Sequence, residues 1–228
     1  MVNNMDLQQI NIKIFASEDS QIVYTNFIKV FNRWMEEAEQ DDYLNYADYS
    51  FTHAGPGVLL ISKQANYSID YSDLQHGFLY NQKHNIPGEN QEKIRDSFIK
   101  ALSLAEKLQS SSELEEQVRF DGNQTLFFIN NRNIAANTDG SFELVREELR
   151  PTLELMYGND DFVLSRAYED PRKRFGIRVS SKNNNGNLSN LLGNLSSKIY
   201  LESFTGVIKR MNKFFFEKKP RYYYCLLY

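Results

Sequence analysis

The chain has a single cysteine, Cys225, so no intramolecular disulfide can hold it together. A reducing compartment is the expected setting. It has three histidines, His53, His76 and His84, with no His-x-x-x-His spacing and no cysteine pair, so no zinc-type ligand pattern is present. Basic charge is not in excess: 26 Lys and Arg face 30 Asp and Glu, a net charge of −4. That balance argues against a chain built for nucleic acid. No run reaches the 18 or so apolar residues that a membrane-spanning helix needs. The opening residues Met1–Asp6 have neither the basic nor the apolar region of a secretory leader. A cytoplasmic protein is therefore expected. Phosphate-loop and Gly-x-Gly-x-x-Gly patterns are absent, and Gly55-Pro56-Gly57 is too short to cradle a phosphate. No cofactor is expected, and no Gly-x-Ser-x-Gly elbow points to a serine nucleophile.

What is present is an apolar fraction of 41% over 228 residues, enough for a core without staples. Ile10, Ile12 and Ile14 alternate with Asn11 and Lys13, the period of a half-buried strand. Val23, Phe27, Val30, Phe31, Trp34 and Met35 recur at helical spacing and predict a helix over 21–38, with Trp34 buried. Residues 43–84 read as four short strands separated by turn residues, and such short connections imply antiparallel pairing. Ile94, Phe98, Ala101, Leu102, Ala105 and Leu108 predict a helix over 90–109. Strands at 118–121 and 125–130 are expected to turn around Gly122-Asn123. A helix capped near Thr138–Ser141 should be kinked or split by Pro151 and stopped by Gly158. Strands at 162–166 and 175–179 follow, joined around Asp170-Pro171-Arg172.

These elements predict an α+β domain over 1–182, an antiparallel or mixed sheet with helices packed on it. The asparagine-rich stretch 183–196 reads as a linker. Residues 197–228 then hold seven Lys and Arg against Glu202 and Glu217, with an apolar stripe at helical spacing from Leu201 to Phe215. That is the pattern of a basic amphipathic helix. Lys209, Arg210, Lys213, Phe214, Phe215, Lys218 and Lys219 are its candidate interaction residues, toward a protein partner or an anionic membrane surface. The closing Cys225-Leu226-Leu227-Tyr228 has the form of a prenylation box but ends on an unusual residue.

Five segments together resemble an uncharacterised family of bacterial proteins, common in cyanobacteria. They are Val30-Phe31-Asn32-Arg33-Trp34, Ala47-Asp48-Tyr49-Ser50, Gly55-Pro56-Gly57-Val58-Leu59-Leu60-Ile61, Tyr67-Ser68-Ile69-Asp70 and Gly77-Phe78-Leu79-Tyr80-Asn81. The resemblance spans residues 8–181. It implies that 1–182 is a complete unit, and it brings no activity, cofactor or site residue with it.

Four clusters bear on chemistry. Asp48 and His53 could form an acid–base pair, with Tyr49 or Tyr67 nearby. His53 with Asp48, or His76 with Asp70 and Asp73, could converge on a metal if neighbouring strands pair. Asp41, Asp42 and Asp48 lack the glycine and glutamate of a calcium loop. Asn130-Asn131-Arg132-Asn133 could bind a ligand at a strand end, against the plainer reading of a hydrogen-bonded turn. A non-enzymatic binding or interaction module is the expected function. A small-molecule enzyme using Asp48 and His53, and membrane association through the C-terminal segment, are the alternatives.

Overall fold

The isoleucine alternation at the start of the chain forms strand β1 (Ile10–Ala16), and the computed structural model builds a sheet on both of its edges. Residues 5–38, 42–182 and 186–197 are described. Helix α1 (Tyr24–Glu37) leads into β2 (Tyr43–Tyr49), β3 (Gly57–Ser62), β4 (Ala65–Asp70) and β5 (Gly77–Gln82). Helix α2 (Asn90–Gln109), β6 (Phe120–Ile129), α3 (Asp139–Tyr157), β7 (Phe162–Arg166) and β8 (Phe175–Ser181) follow. The eight strands form one antiparallel sheet in the order β2-β3-β4-β5-β1-β6-β8-β7. The α+β expectation is met, and the sheet is antiparallel rather than mixed.

The period of two sorts each strand into two faces. Ile10, Ile12 and Ile14 of β1, Phe78 and Tyr80 of β5, Phe127 and Ile129 of β6, and Ile177 and Val179 of β8 point into the main core. Phe27, Val30, Phe31 and Trp34 of α1 close that core from above, as do Phe98 and Leu102 of α2 and Leu149 and Leu153 of α3. Trp34 is 1% exposed, as its helical stripe predicts. Its ring lies near Tyr43, and the Lys107 ammonium sits 4.4 Å from its centroid. Asn11, Lys13 and Phe15 point the other way, to a face that carries no α-helix among the described residues. Phe15, Leu126 and Phe128 form a second, small cluster there.

Three local expectations change. No turn forms at Gly122-Asn123, because β6 runs unbroken from Phe120 to Ile129. Its glycine serves packing instead. A Cβ on Gly122 would collide with Leu191 Cδ1, and the Tyr157 hydroxyl donates to the Gly122 carbonyl at 2.9 Å. Pro151 does not split α3, which continues to Tyr157. The proline and Glu147, whose carbonyl loses its partner, are both exposed, so water can satisfy that group. Gly158 ends the helix in the left-handed conformation, φ +72°.

The third change concerns the asparagine-rich stretch. Residues 188–197 are not a linker but a fourth helix, α4, and Leu188, Leu191 and Leu195 are buried in the main core. Gly122 N–H donates to the Gly186 carbonyl at 3.1 Å, which fixes the approach to that helix. The compact unit ends at Leu195, not at 182. The basic amphipathic segment, with Lys209, Arg210, Lys213, Phe214, Phe215, Lys218 and Lys219, lies outside the described residues.

Candidate functional site

The helix-free face is not a plain polar surface. Lys13 projects from the centre of β1, opposite Leu79 on one side and Leu126 on the other, and it is 1% exposed. Its stem crosses Gly77, where a Cβ would lie 2.9 Å from Lys13 Cε and 2.6 Å from the Ile14 carbonyl. The ammonium then meets Asp70 Oδ2 at 2.6 Å, the Gln75 carbonyl at 2.6 Å and the Ser72 carbonyl at 3.1 Å. Three acceptors use all three N–H donors of the ammonium. Burial still pushes Lys13 below its ordinary pKa, with Asp70 opposing that shift. Asp70 also accepts from Ser72 Oγ at 2.7 Å and from Ser72 N–H at 3.1 Å. The pair locks the loop 71–76 between β4 and β5.

Beside this lock, Tyr24 reaches over from the start of α1. Gly57, at φ +61°, makes room for it: a Cβ there would lie 2.5 Å from Tyr24 Cε1. The Tyr24 hydroxyl and His76 Nε2 are 3.1 Å apart, and the His76 ring stacks on Tyr71 at 4.2 Å between centroids. Burial, and then the charge of Lys13, depress the His76 pKa. The folded state therefore binds a proton here less readily than the unfolded chain. This contribution to stability is complete above about pH 6.5, the ordinary histidine value, and declines as pH falls below it. Urea midpoints at pH 7.5, 6.5 and 5.5 should fall more steeply for the wild type than for His76→Asn. Parallel curves would show that His76 carries none of the slope.

Two arginines roof the centre of the face. Arg174, just before β8, and Arg178 within it share a side with Gly176, while Phe175, Ile177 and Val179 point into the core. The Arg174 guanidinium lies 3.8 Å from the Phe128 centroid and donates to the Tyr168 hydroxyl at 3.2 Å. That of Arg178 lies 4.9 Å from the Phe15 centroid and donates to Gln75 Oε1 at 3.2 Å. Tyr168 in turn donates to Asp73 Oδ2 at 2.5 Å. The loops 71–76 and 167–174 thus meet above the sheet. Gly176 keeps the space beneath them open, since a Cβ there would lie 3.1 Å from that of Ala167. Neither arginine has a carboxylate within ion-pair distance among the described residues. The β7–β8 segment, 162–182, holds six Lys and Arg against Glu169 and Asp170, whereas residues 1–161 hold 13 against 26 acids.

Toward the opposite end of the face, Asn66, Asn81 and Asn11 stand side by side across β4, β5 and β1. Asn81 donates to Asn11 Oδ1, and Asn11 donates to the Gln9 and Phe128 carbonyls at 2.7 and 3.2 Å. The stretch after β6 is the hydrogen-bonded turn. The Asn131 carbonyl accepts from Ile134 and Ala135 N–H, and its side chain accepts from Asn133 N–H. Asn131 and Asn133 also line a cavity of about 590 Å³ with Gln8, Asn85 and Leu144.

The acid–base candidates stand elsewhere. Asp48 is exposed on edge strand β2, where the Ser50 hydroxyl and N–H hold its carboxyl below the ordinary value. His53 is exposed in the loop that follows, and no hydrogen bond joins the two. His76, Asp70 and Asp73 do share one region but are directed to Tyr24, Lys13 and Tyr168. Among the described residues no three His, Cys, Asp or Glu side chains are grouped to hold a metal ion, and no helix is long and apolar enough to cross a membrane. No family model matches the sequence, and no curated protein or solved structure matches it.

Proposed function

We propose that this chain is a non-enzymatic interaction module that binds an anionic partner on the helix-free face of its sheet. One observation carries the reading: Arg174 and Arg178 are seated on aromatic rings and lack carboxylate partners among the described residues. A guanidinium already held in place loses little freedom when it binds a carboxylate or phosphate, and its planar fork suits both. The local charge supports this. A negatively charged partner is drawn to the β7–β8 segment and repelled by the acidic remainder.

Fluorescence anisotropy with an oligo-glutamate peptide and with oligo-dT, and co-sedimentation with phosphatidylserine vesicles, test the reading. Binding to at least one probe should weaken as salt rises from about 0.1 to 1 M, where the screening length falls from about 10 to 3 Å. The double variant Arg174→Gln/Arg178→Gln should lose about a hundredfold in affinity, because two charge-assisted bonds are removed. Its fold is checked by its urea midpoint. Equal binding by variant and wild type removes the basis of the reading.

The charge of residues 197–228 supports a second reading, attachment to an anionic membrane, at about 1 kcal/mol per basic residue near the surface. In that case vesicles should bind the full chain and not one ended at Ser197.

A further inference from the structure

We propose that the anionic partner is an acidic peptide segment, and that Asp73 is its internal competitor, occupying the Tyr168–Arg174 subsite in the free protein. This rests on the reading that Arg174 and Arg178 bind an anion. The group the site takes from its own chain is a carboxylate. Asp73 Oδ2 receives the Tyr168 hydroxyl at 2.5 Å, and the same hydroxyl oxygen receives Arg174 Nη2 at 3.2 Å. A carboxylate on an exposed stretch of backbone is therefore the ligand chemistry already seated there.

The stretch that presents it is held in an unfavourable shape. Asp73 and Leu74 both adopt φ near +59°, the left-handed region. Aspartate tolerates that region better than leucine does. The conformation persists because both ends of the loop are pinned. Lys13 holds the Ser72 and Gln75 carbonyls, and Arg178 holds the Gln75 side chain. Among the described residues the tip has no such side-chain anchor besides Tyr168, and Leu74 is 57% exposed beside it. A partner carboxylate can replace Asp73 on the Tyr168 hydroxyl and reach the neighbouring Arg174 guanidinium, which Asp73 does not pair with, while the buried base of the loop stays in place. Leu74 then offers an apolar contact next to the exchanged charge.

Charge favours a peptide over a phosphate backbone. A nucleic acid presents closely spaced phosphates and needs an unbroken basic track. Here Asp73, Glu169 and Asp170 stand among Arg172, Lys173, Arg174 and Arg178, and Asp170 already pairs with Arg172. Sparse carboxylates fit that alternation.

The experiment is an anisotropy titration of fluorescein-labelled oligo-glutamate with the full-length protein. Asp73→Asn removes the competing charge at an exposed position whose left-handed backbone asparagine also accepts, so the fold is retained. It should bind about three- to tenfold tighter than the wild type, the fold-change expected when the charge-assisted bond from Tyr168 to Asp73 is weakened to a neutral one that a partner carboxylate displaces more readily. Affinity of Asp73→Asn equal to or weaker than wild type, with Arg174→Gln/Arg178→Gln still weakened, overturns the competitor and leaves the anion reading standing. Unchanged binding by the arginine variant overturns the anion reading itself. Tighter binding of oligo-dT than of oligo-glutamate, or no binding of oligo-glutamate by either protein, overturns the peptide class.

Discussion

A chain ended at Lys182 should lose cooperative unfolding, while one ended at Ser197 should keep it. The difference is α4. Leu188, Leu191 and Leu195 are at most 1% exposed, and removing them uncovers Gly122 and the neighbouring core. Burial of a leucine is worth about 1.5–3 kcal/mol, so three approach the whole stability of a typical domain, about 5–15 kcal/mol. Polar ties go with them: Asn194 donates to the Met156 carbonyl at 3.0 Å, and Ser189 donates to Glu106. Leu191→Ala in the full chain should by itself cost about 2–5 kcal/mol. Urea unfolding followed by circular dichroism measures both effects. A sharp transition near the full-length midpoint for the shorter chain would show that α4 is dispensable.

Lys13→Ala should cost about 3–5 kcal/mol, the usual result of removing one member of a buried ion pair. The loss is larger than one contact implies. Asp70 keeps its two bonds from Ser72 but is left without a counter-charge, and the Ser72 and Gln75 carbonyls lose their donor. Asp70→Asn should cost less, because an amide oxygen still accepts from the ammonium. The double variant Lys13→Ala/Asp70→Asn should fall well short of the summed single losses, the mark of groups that act together. Additive costs in that cycle would mean that the two side chains stabilise the fold independently.

The parts of the fold that a one-dimensional pattern reveals are those with a single covered face. Helix α2 spans Asn90–Gln109, where Ile94, Phe98, Ala101, Leu102, Ala105 and Leu108 are all buried. Helix α4 was hidden by composition. Its leucines at 188, 191 and 195 have helical spacing, but the ten Asn, Gly and Ser residues within 183–196 carry the signal of a loop. Gly122-Asn123 misled for the opposite reason. Its turn chemistry is real, but close approach of Leu191 is what requires the glycine. The site was legible only in part. The alternation around Phe175, Ile177 and Val179 already places Arg178 on the outer face, and Asp70, Asp73 and His76 already stand close in sequence. What each of them meets depends on side chains 52 or more residues away, as with Tyr24 for His76, Tyr168 for Asp73 and Gln75 for Arg178. No local period encodes that.

The place of β1 in the sheet sets a problem of timing during synthesis. It leaves the ribosome before the other described strands, yet it lies between β5 and β6, with Ile10 opposite Ile129. One edge waits for Gly77–Gln82, and the other waits for Phe120–Ile129. At ordinary elongation rates that second wait is on the order of ten seconds. For that interval Ile10, Ile12 and Ile14 belong to a strand with an unpaired edge, the surface on which chains pair wrongly with one another. Slowing elongation after residue 82 should therefore raise the aggregated fraction of newly made protein, and a chaperone that shields strand edges should lower it.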